Sequence, residues 1–228
     1  MNAPMKKPLP FLVAFVVAVG AGFHALAASE TTFITDKKEA FLTLSNSAWG
    51  EFGISVSASR AWGKEGFKGN MKLMEIPENS PGKITMIVPF VGPSAEAMTL
   101  KLTGSASGST VDLATTLESS STLPGSYSVI LSVPIETARD LTVLANGKPV
   151  TTDLNRAGLR SNATNVSLVK TSTGQCILNA VGELGSFRTH FFAGDPDRPL
   201  TLWFSPVDKP SESSGSFSFP LQLEFGNP

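Results

Sequence analysis

The densest group of residues able to do acid–base chemistry lies in "SFRTHFFAGDPDRP", Ser186 to Pro199. Histidine as a residue type suits a general base near neutrality, so His190 is the candidate base, and Asp195 or Asp197 would orient it. On an extended chain Arg188, His190 and Phe192 share one face, and Phe187, Thr189 and Phe191 share the other. A structural account competes with this one and is preferred: Arg198 pairs with a neighbouring carboxylate, Asp195-Pro196 opens a turn, and His190 is a surface or interface residue. Catalytic residues are therefore not expected. If the chain is an enzyme, His190, Asp195 and Asp197 are the residues to carry the reaction, as a small secreted hydrolase.

Other chemistries find less support. Asp195 and Asp197 are alternate oxygen ligands, but calcium takes six to eight oxygens and the acidic pattern does not continue. Beyond residue 27 there is one histidine, His190, and the chain has one cysteine, so a multi-histidine or multi-cysteine zinc site cannot be assembled. No metal or cofactor is expected. "GSASG" at 104–108 has the spacing of a nucleophile elbow with Ala106 where serine is required, and neither G-x-G-x-x-G nor a phosphate loop occurs. A carboxylate pair for glycoside hydrolysis would need an aromatic-lined cleft, for which three tryptophans and one tyrosine are a thin supply. Sugar binding asks less, since one exposed ring can stack on a pyranose while polar neighbours fix its orientation. Trp49, Trp62 and Trp203 are the candidates. Trp49 and Trp62 each precede a glycine, and Trp203 alternates out of phase with Leu202 and Phe204; core packing is the competing account for all three.

The elements that must hold these residues read as strands. Period-two alternation recurs in Ile54/Val56/Ala58, Ile84/Met86/Val88, Met98/Leu100/Leu102, Tyr127/Val129/Leu131/Val133, Leu200/Leu202/Phe204 and Phe217/Phe219/Leu221/Leu223/Phe225. Glycine-, proline- and serine-rich turns separate them, which gives about ten to twelve strands. Asn146-Gly147 predicts a type I′ hairpin turn between Leu141–Leu144 and Val150–Leu154. Helical signals are limited to Glu30–Leu44, whose threonines and phenylalanines favour strand, and one turn in "PIETARDL". The expected class is all-β, an antiparallel β-sandwich with Greek-key, jelly-roll or Ig-like connections and few or no long helices. Residues 28–228 are expected to form a single domain with an elaborated N-terminal part, with 89–97 as a possible split. Pro220 interrupts the final alternation and, lacking an N–H, belongs at an edge or a bulge.

Lys6 and Lys7, the apolar run Phe11–Phe23 and Ala25-Leu26-Ala27 read as a bacterial signal peptide over residues 1–27. Thirteen apolar residues are short for a membrane span, which needs about 20, so membrane association is expected only through this segment if it is retained. Export to the periplasm, the cell surface or the medium follows. A net charge of −1, more negative once the two leader lysines are removed, with no long run of like charge, argues against nucleic acid. Cys176 excludes an intramolecular disulfide, and its setting in "GQCILNAV" predicts an inert thiol in a buried strand. Asn162 and Asn165 head N-x-[ST] sequons that matter only in a eukaryote.

The leader, the all-β remainder and an alternating terminal strand preceded by Gly215 together resemble fimbrial subunits assembled by strand exchange. The paired cysteines and penultimate tyrosine of those subunits are missing here. The resemblance implies a mode of interaction: an adhesin-like, non-catalytic secreted or surface sandwich that binds partner subunits or glycans.

Overall fold

The computed structural model describes residues 30–35, 42–59, 66–92, 97–120, 123–150, 161–182, 187–192, 200–206 and 215–227. In chain order the strands are β1 (Thr31–Ile34), β2 (Leu42–Asn46), β3 (Gly50–Ser59), β4 (Lys68–Gly69), β5 (Glu75–Ser80), β6 (Lys83–Val91), β7 (Ala97–Ser107), β8 (Thr110–Ser119) and β9 (Ser126–Val133). They continue as β10 (Leu141–Ala145), β11 (Lys148–Pro149), β12 (Ser161–Ala163), β13 (Asn165–Lys170), β14 (Cys176–Val181), β15 (Phe187–Phe192), β16 (Leu200–Pro206) and β17 (Gly215–Phe225). The one α-helix among the described residues, Ile135–Ala138, is the single turn expected in "PIETARDL". Seventeen strands among the described residues exceed the expected ten to twelve because segments such as β4, β11 and β12, two or three residues long, carry too little sequence to show a period.

All pairings among the described strands are antiparallel and form two sheets. The smaller has the order β1-β2-β3-β9-β16-β15-β12, and the larger β11-β10-β13-β14-β17-β8-β7-β6-β4, with β5 also paired to β6. The chain crosses repeatedly between them, so the sandwich expected from the alternation is what forms. Stretch 89–97 joins β6 to β7, whose register runs from Lys83↔Ser105 to Val91↔Ala97 in one hairpin. Within Glu30–Leu44 the described residues are strand, β1 and the start of β2.

The core lies between the sheets and is built from the apolar half of each alternation. Phe52 of β3 meets Phe225 of β17 edge to face, with ring centroids 5.1 Å apart. Tyr127 of β9 meets Phe217 and Phe219 of the same strand at 6.0 and 6.4 Å. Each large side chain so buried stabilises the fold by roughly 1.5–3 kcal/mol, before the conformational entropy lost on ordering it. Gly104 admits Phe33 from β1: a Cβ there would stand 2.9 Å from the Phe33 ring, so a larger residue would push β1 off the larger sheet. Tyr127 is 2 % exposed, and loss of hydration drives its phenol well above the ordinary 10.0. Thr115 opposes that shift, although its hydroxyl already donates to the Phe219 carbonyl at 3.1 Å.

Asn146 and Gly147 have φ of 49° and 73°, the two left-handed residues a type I′ turn needs, and the register Ala145↔Lys148 closes the hairpin they predict. Val150 follows β11, and residues 151–154 of the expected second strand lie outside the described residues. The Asn146 side chain also braces its surroundings, since its Oδ1 accepts from the Thr164 and Asn165 amides at 3.0 and 3.3 Å and so ties the turn to the start of β13.

Pro220 sits where its missing N–H costs no ladder bond. The Phe225 amide donates to Ser109 O, beside β8, and the Gly226 amide to Ile177 O, in β14. By alternation, the amides of even-numbered residues of β17 point to the β14 side. β14 pairs only as far as Gln222, so at Pro220 that side is beyond the ladder, while β8 continues to pair along Gly215–Glu224. One strand is therefore central at its C-terminal half and an edge at its N-terminal half.

Cys176 departs from expectation. The register shifts between Leu168 and Val169 opposite the start of β14, and two successive residues, Ile177 and Leu178, are buried. This irregularity turns Cys176 outward, where it is exposed. Neighbouring atoms still strip part of its hydration, and this, followed by the negative charge of Glu224, pushes the thiol above its ordinary value. It is an accessible but weakly ionised thiol.

Candidate functional site

The outer face of the smaller sheet brings together several of the residues singled out by sequence. Leu200, Leu202 and Phe204 of β16 are buried inward, so Trp203 projects outward, as expected, and is half-buried with its indole nitrogen out of solvent. Reading across the strands, one row runs Ser55–Ile130–Trp203–His190. The next runs Ser57, Ser128 and then, beyond a shared hydroxyl contact, Ser205–Arg188–Asn162. On the other flank stand Gly53–Ser132–Thr201–Phe192. Cross-strand partners share a face, so the register sets Trp203 among hydroxyls, with β15 paired beside it through the backbone register His190↔Trp203; the β15 side chains lie outside the described residues.

Ser128 shows that this face is not simply solvent. It lies on the outward side of β9 yet is 1 % exposed, with its hydroxyl 2.6 Å from that of Ser205. The neighbours of Trp203 on β3 and β9 are glycine and serine wherever the face turns outward, apart from Ile130. The half-buried ring of Trp203 is bordered along its rows by hydroxyl groups, which both donate and accept hydrogen bonds.

The other candidates fall elsewhere. Trp49 ends the turn between β2 and β3 and is buried at 8 % exposure. Its indole N–H donates to the Gly226 carbonyl at 2.7 Å, and Lys170 Nζ stands 4.8 Å above the ring. Asn46 holds that turn, accepting from the Ala48 and Trp49 amides at 3.0 and 3.1 Å. Trp49 thus anchors the C-terminal end of β17 and offers no open ring. Trp62, Asp195 and Asp197 lie outside the described residues.

The serine lining was missed in the sequence, although a signal was present. "GISVSAS" at 53–59 and "SYSVILS" at 126–132 both alternate serine with apolar residues, and their serines converge because β3 and β9 pair. A separate groove of about 560 Å³ opens between β7, β8 and the start of β17, lined by Met98, Thr99, Glu118, Ser119 and Ser216. It is wide and has no aromatic side chain. Among the described residues no group of three metal-ligating side chains comes together, and no helix is long and apolar enough to cross a membrane.

The sequence matches no protein-family model and no curated protein. The fold does have likenesses among solved structures. An Escherichia coli K12 protein assigned as an aldose 1-epimerase superposes with a TM-score of 0.55 at 10% identity, over 75% of this chain and 82% of its own. A galactose mutarotase related enzyme from Lactobacillus acidophilus gives 0.52 at 9% identity, over 86% and 94%. A Synechocystis sp. PCC 6803 protein gives 0.50 at 8%, over 87% and 96%. These likenesses establish the architecture, and they correct the reading as an adhesin-like, non-catalytic interaction protein: the named proteins that share the sandwich are sugar enzymes. In this chain β17 is paired within its own sheet from Gly215 to Glu224.

Proposed function

We propose that this chain is a sugar-processing enzyme that takes an aldose on the outer face of the smaller sheet and interconverts its anomers. The observation that carries the reading is the sandwich shared with an aldose 1-epimerase and a galactose mutarotase related enzyme over most of this chain's length. The Trp203 face supplies what such a substrate needs. A pyranose presents an apolar C–H face that stacks on an aromatic ring and an equatorial fringe of hydroxyls that pair with Ser57, Ser205 and Thr201.

Anomer exchange opens the ring by removing the proton from the C1 hydroxyl and delivering one to the ring oxygen. A group titrating near neutrality serves both transfers. His190 is the proton-transfer residue in this reading, as the register partner of Trp203, with Asp195 or Asp197 to orient it. The leader reading of residues 1–27 makes the enzyme an exported one.

The test is magnetisation exchange between the α and β anomers of galactose and glucose with purified protein. Exchange faster than in buffer is expected, and His190→Gln should return it to the buffer rate while saturable binding persists. If neither sugar binds nor exchanges faster than in buffer, the reading is wrong.

A further inference from the structure

We propose that Asn146-Gly147 is a modification site whose reaction the native fold blocks: Asn146 loses its side-chain amide only while the hairpin between β10 and β11 is open, and one of the two products keeps that hairpin from closing again. The chemistry belongs to the pair itself. The backbone nitrogen of Gly147 attacks Cγ of Asn146, with no side chain on Gly147 to hinder it. The Gly147 N–Cγ bond forms, the Cγ–Nδ2 bond breaks, and the proton of Gly147 N leaves with Nδ2 as ammonia. Water then opens the five-membered imide at either carbonyl, which gives aspartate, or isoaspartate with the main chain running through Cγ. This is the one Asn-Gly pair in the chain, and both residues are exposed.

Ring closure needs the Gly147 nitrogen eclipsed with Cβ about the Asn146 Cα–C bond. Asn146 and Gly147 have φ of 49° and 73°, and the first central residue of a type I′ turn has ψ of about 30°, which places that nitrogen nearly anti to Cβ. The attack therefore requires the turn to open and the Ala145↔Lys148 pairing to part. The side chain is held as well. Its Oδ1 accepts from the Thr164 amide at 3.0 Å, the Thr164 hydroxyl at 3.2 Å and the Asn165 amide at 3.3 Å, while the Asn146 amide donates to the Asn165 carbonyl at 3.0 Å. Asn146 thus meets Asn165 through its own N–H and its side-chain carbonyl, which continues the β10–β13 ladder one residue past Ala145↔Val166. Carrying Cγ to the Gly147 nitrogen would forfeit all three acceptances.

The products differ in what they can rebuild. Aspartate tolerates the left-handed backbone and keeps an oxygen where Oδ1 stood, open to the same three donors. Isoaspartate adds a methylene to the main chain, and a two-residue connection with one fixed register no longer fits. β11, at the edge of the larger sheet, then loses its only partner among the described strands. Time spent unfolded is written into the chain as a permanent change.

The test holds the full-length protein at about pH 8 in buffer and in urea beyond its unfolding midpoint, and follows Asn146 by mass spectrometry of proteolytic fragments, beside a synthetic peptide of residues 144–150 in the same two solutions. In urea the protein is expected to convert as fast as the peptide, and in buffer at least about tenfold more slowly than the peptide. A protein that converts in buffer as fast as the peptide would overturn the proposal. Asn146→Asp, the first product made directly, should melt like the wild type, whereas chains carrying isoaspartate should fail to regain the native circular dichroism once urea is removed. Isoaspartate chains that refold as completely as the unmodified ones would remove the second half of the proposal. Should Asn146→Asp itself not fold, the rates in buffer and urea still decide the first.

Discussion

The outer faces of the two sheets are made from similar residues and differ in what those residues are bonded to. On the larger sheet, polar side chains pair across the strands with one another: Gln222 with Asp112 at 2.8 Å, Asn165 with Asn179 at 2.7 Å, Ser167 with Asn179 at 3.0 Å and Thr116 with Ser218 at 3.1 Å. Such a face is already satisfied, and a ligand would have to break protein bonds to make its own. On the smaller sheet the outer-face side chains of β3 and β9 are mostly serine and glycine, and Ser128 and Ser205 share a hydroxyl contact at 2.6 Å. The two faces thus differ in side-chain length relative to strand spacing, although both are rich in hydroxyls.

Four changes break or sharpen this contrast. Phe52→Ala, in the core both faces share, should cost about 3–5 kcal/mol of stability by urea denaturation. It should disturb both surfaces together, because Phe52 is fully buried against Phe225 of the larger sheet. Trp203→Ala should weaken sugar binding by about 2 kcal/mol or roughly thirtyfold, the loss typical of a central aromatic. The matched change on the other face, Gln222→Ala, should leave sugar affinity unaltered; a comparable loss there would move the site to the larger sheet. The smallest effect is expected from Glu224→Gln beside Cys176. Glu224 raises the thiol pKa by repelling the thiolate, so its neutralisation lowers that pKa, increases the thiolate fraction at pH 8–9 and speeds alkylation by iodoacetamide. An unchanged rate would mean that burial alone controls the thiol.

Much of the fold was legible because burial on one side enforces period two. The strands around Ile54, Met86, Leu100 and Val129 follow from alternation, the hairpin at Asn146-Gly147 from its demand for positive φ, and the outward direction of Trp203 from its phase against Leu202 and Phe204. What failed is what alternation cannot encode. Cys176 sits at an irregularity that resets the phase, so its apolar neighbours mislead. Trp49 is buried by a carbonyl 177 residues away, and no local pattern announces that contact. The serine face emerges only when β3 and β9 are laid side by side, and the order of strands in a sheet is a long-range property.

The pairing of β17 with β8 has a consequence in time. Gln222 bonds to Asp112 across 110 residues of chain, and β17 lies between β14 and β8 at the middle of the larger sheet. Until residues 215–225 have been synthesised, β8 and β14 each present a bare edge and half of Phe52's packing is missing. The nascent protein must therefore be kept from premature association through most of its translation. Assembly is then expected as one late, slow step, the behaviour of chains whose contacts are mostly distant in sequence.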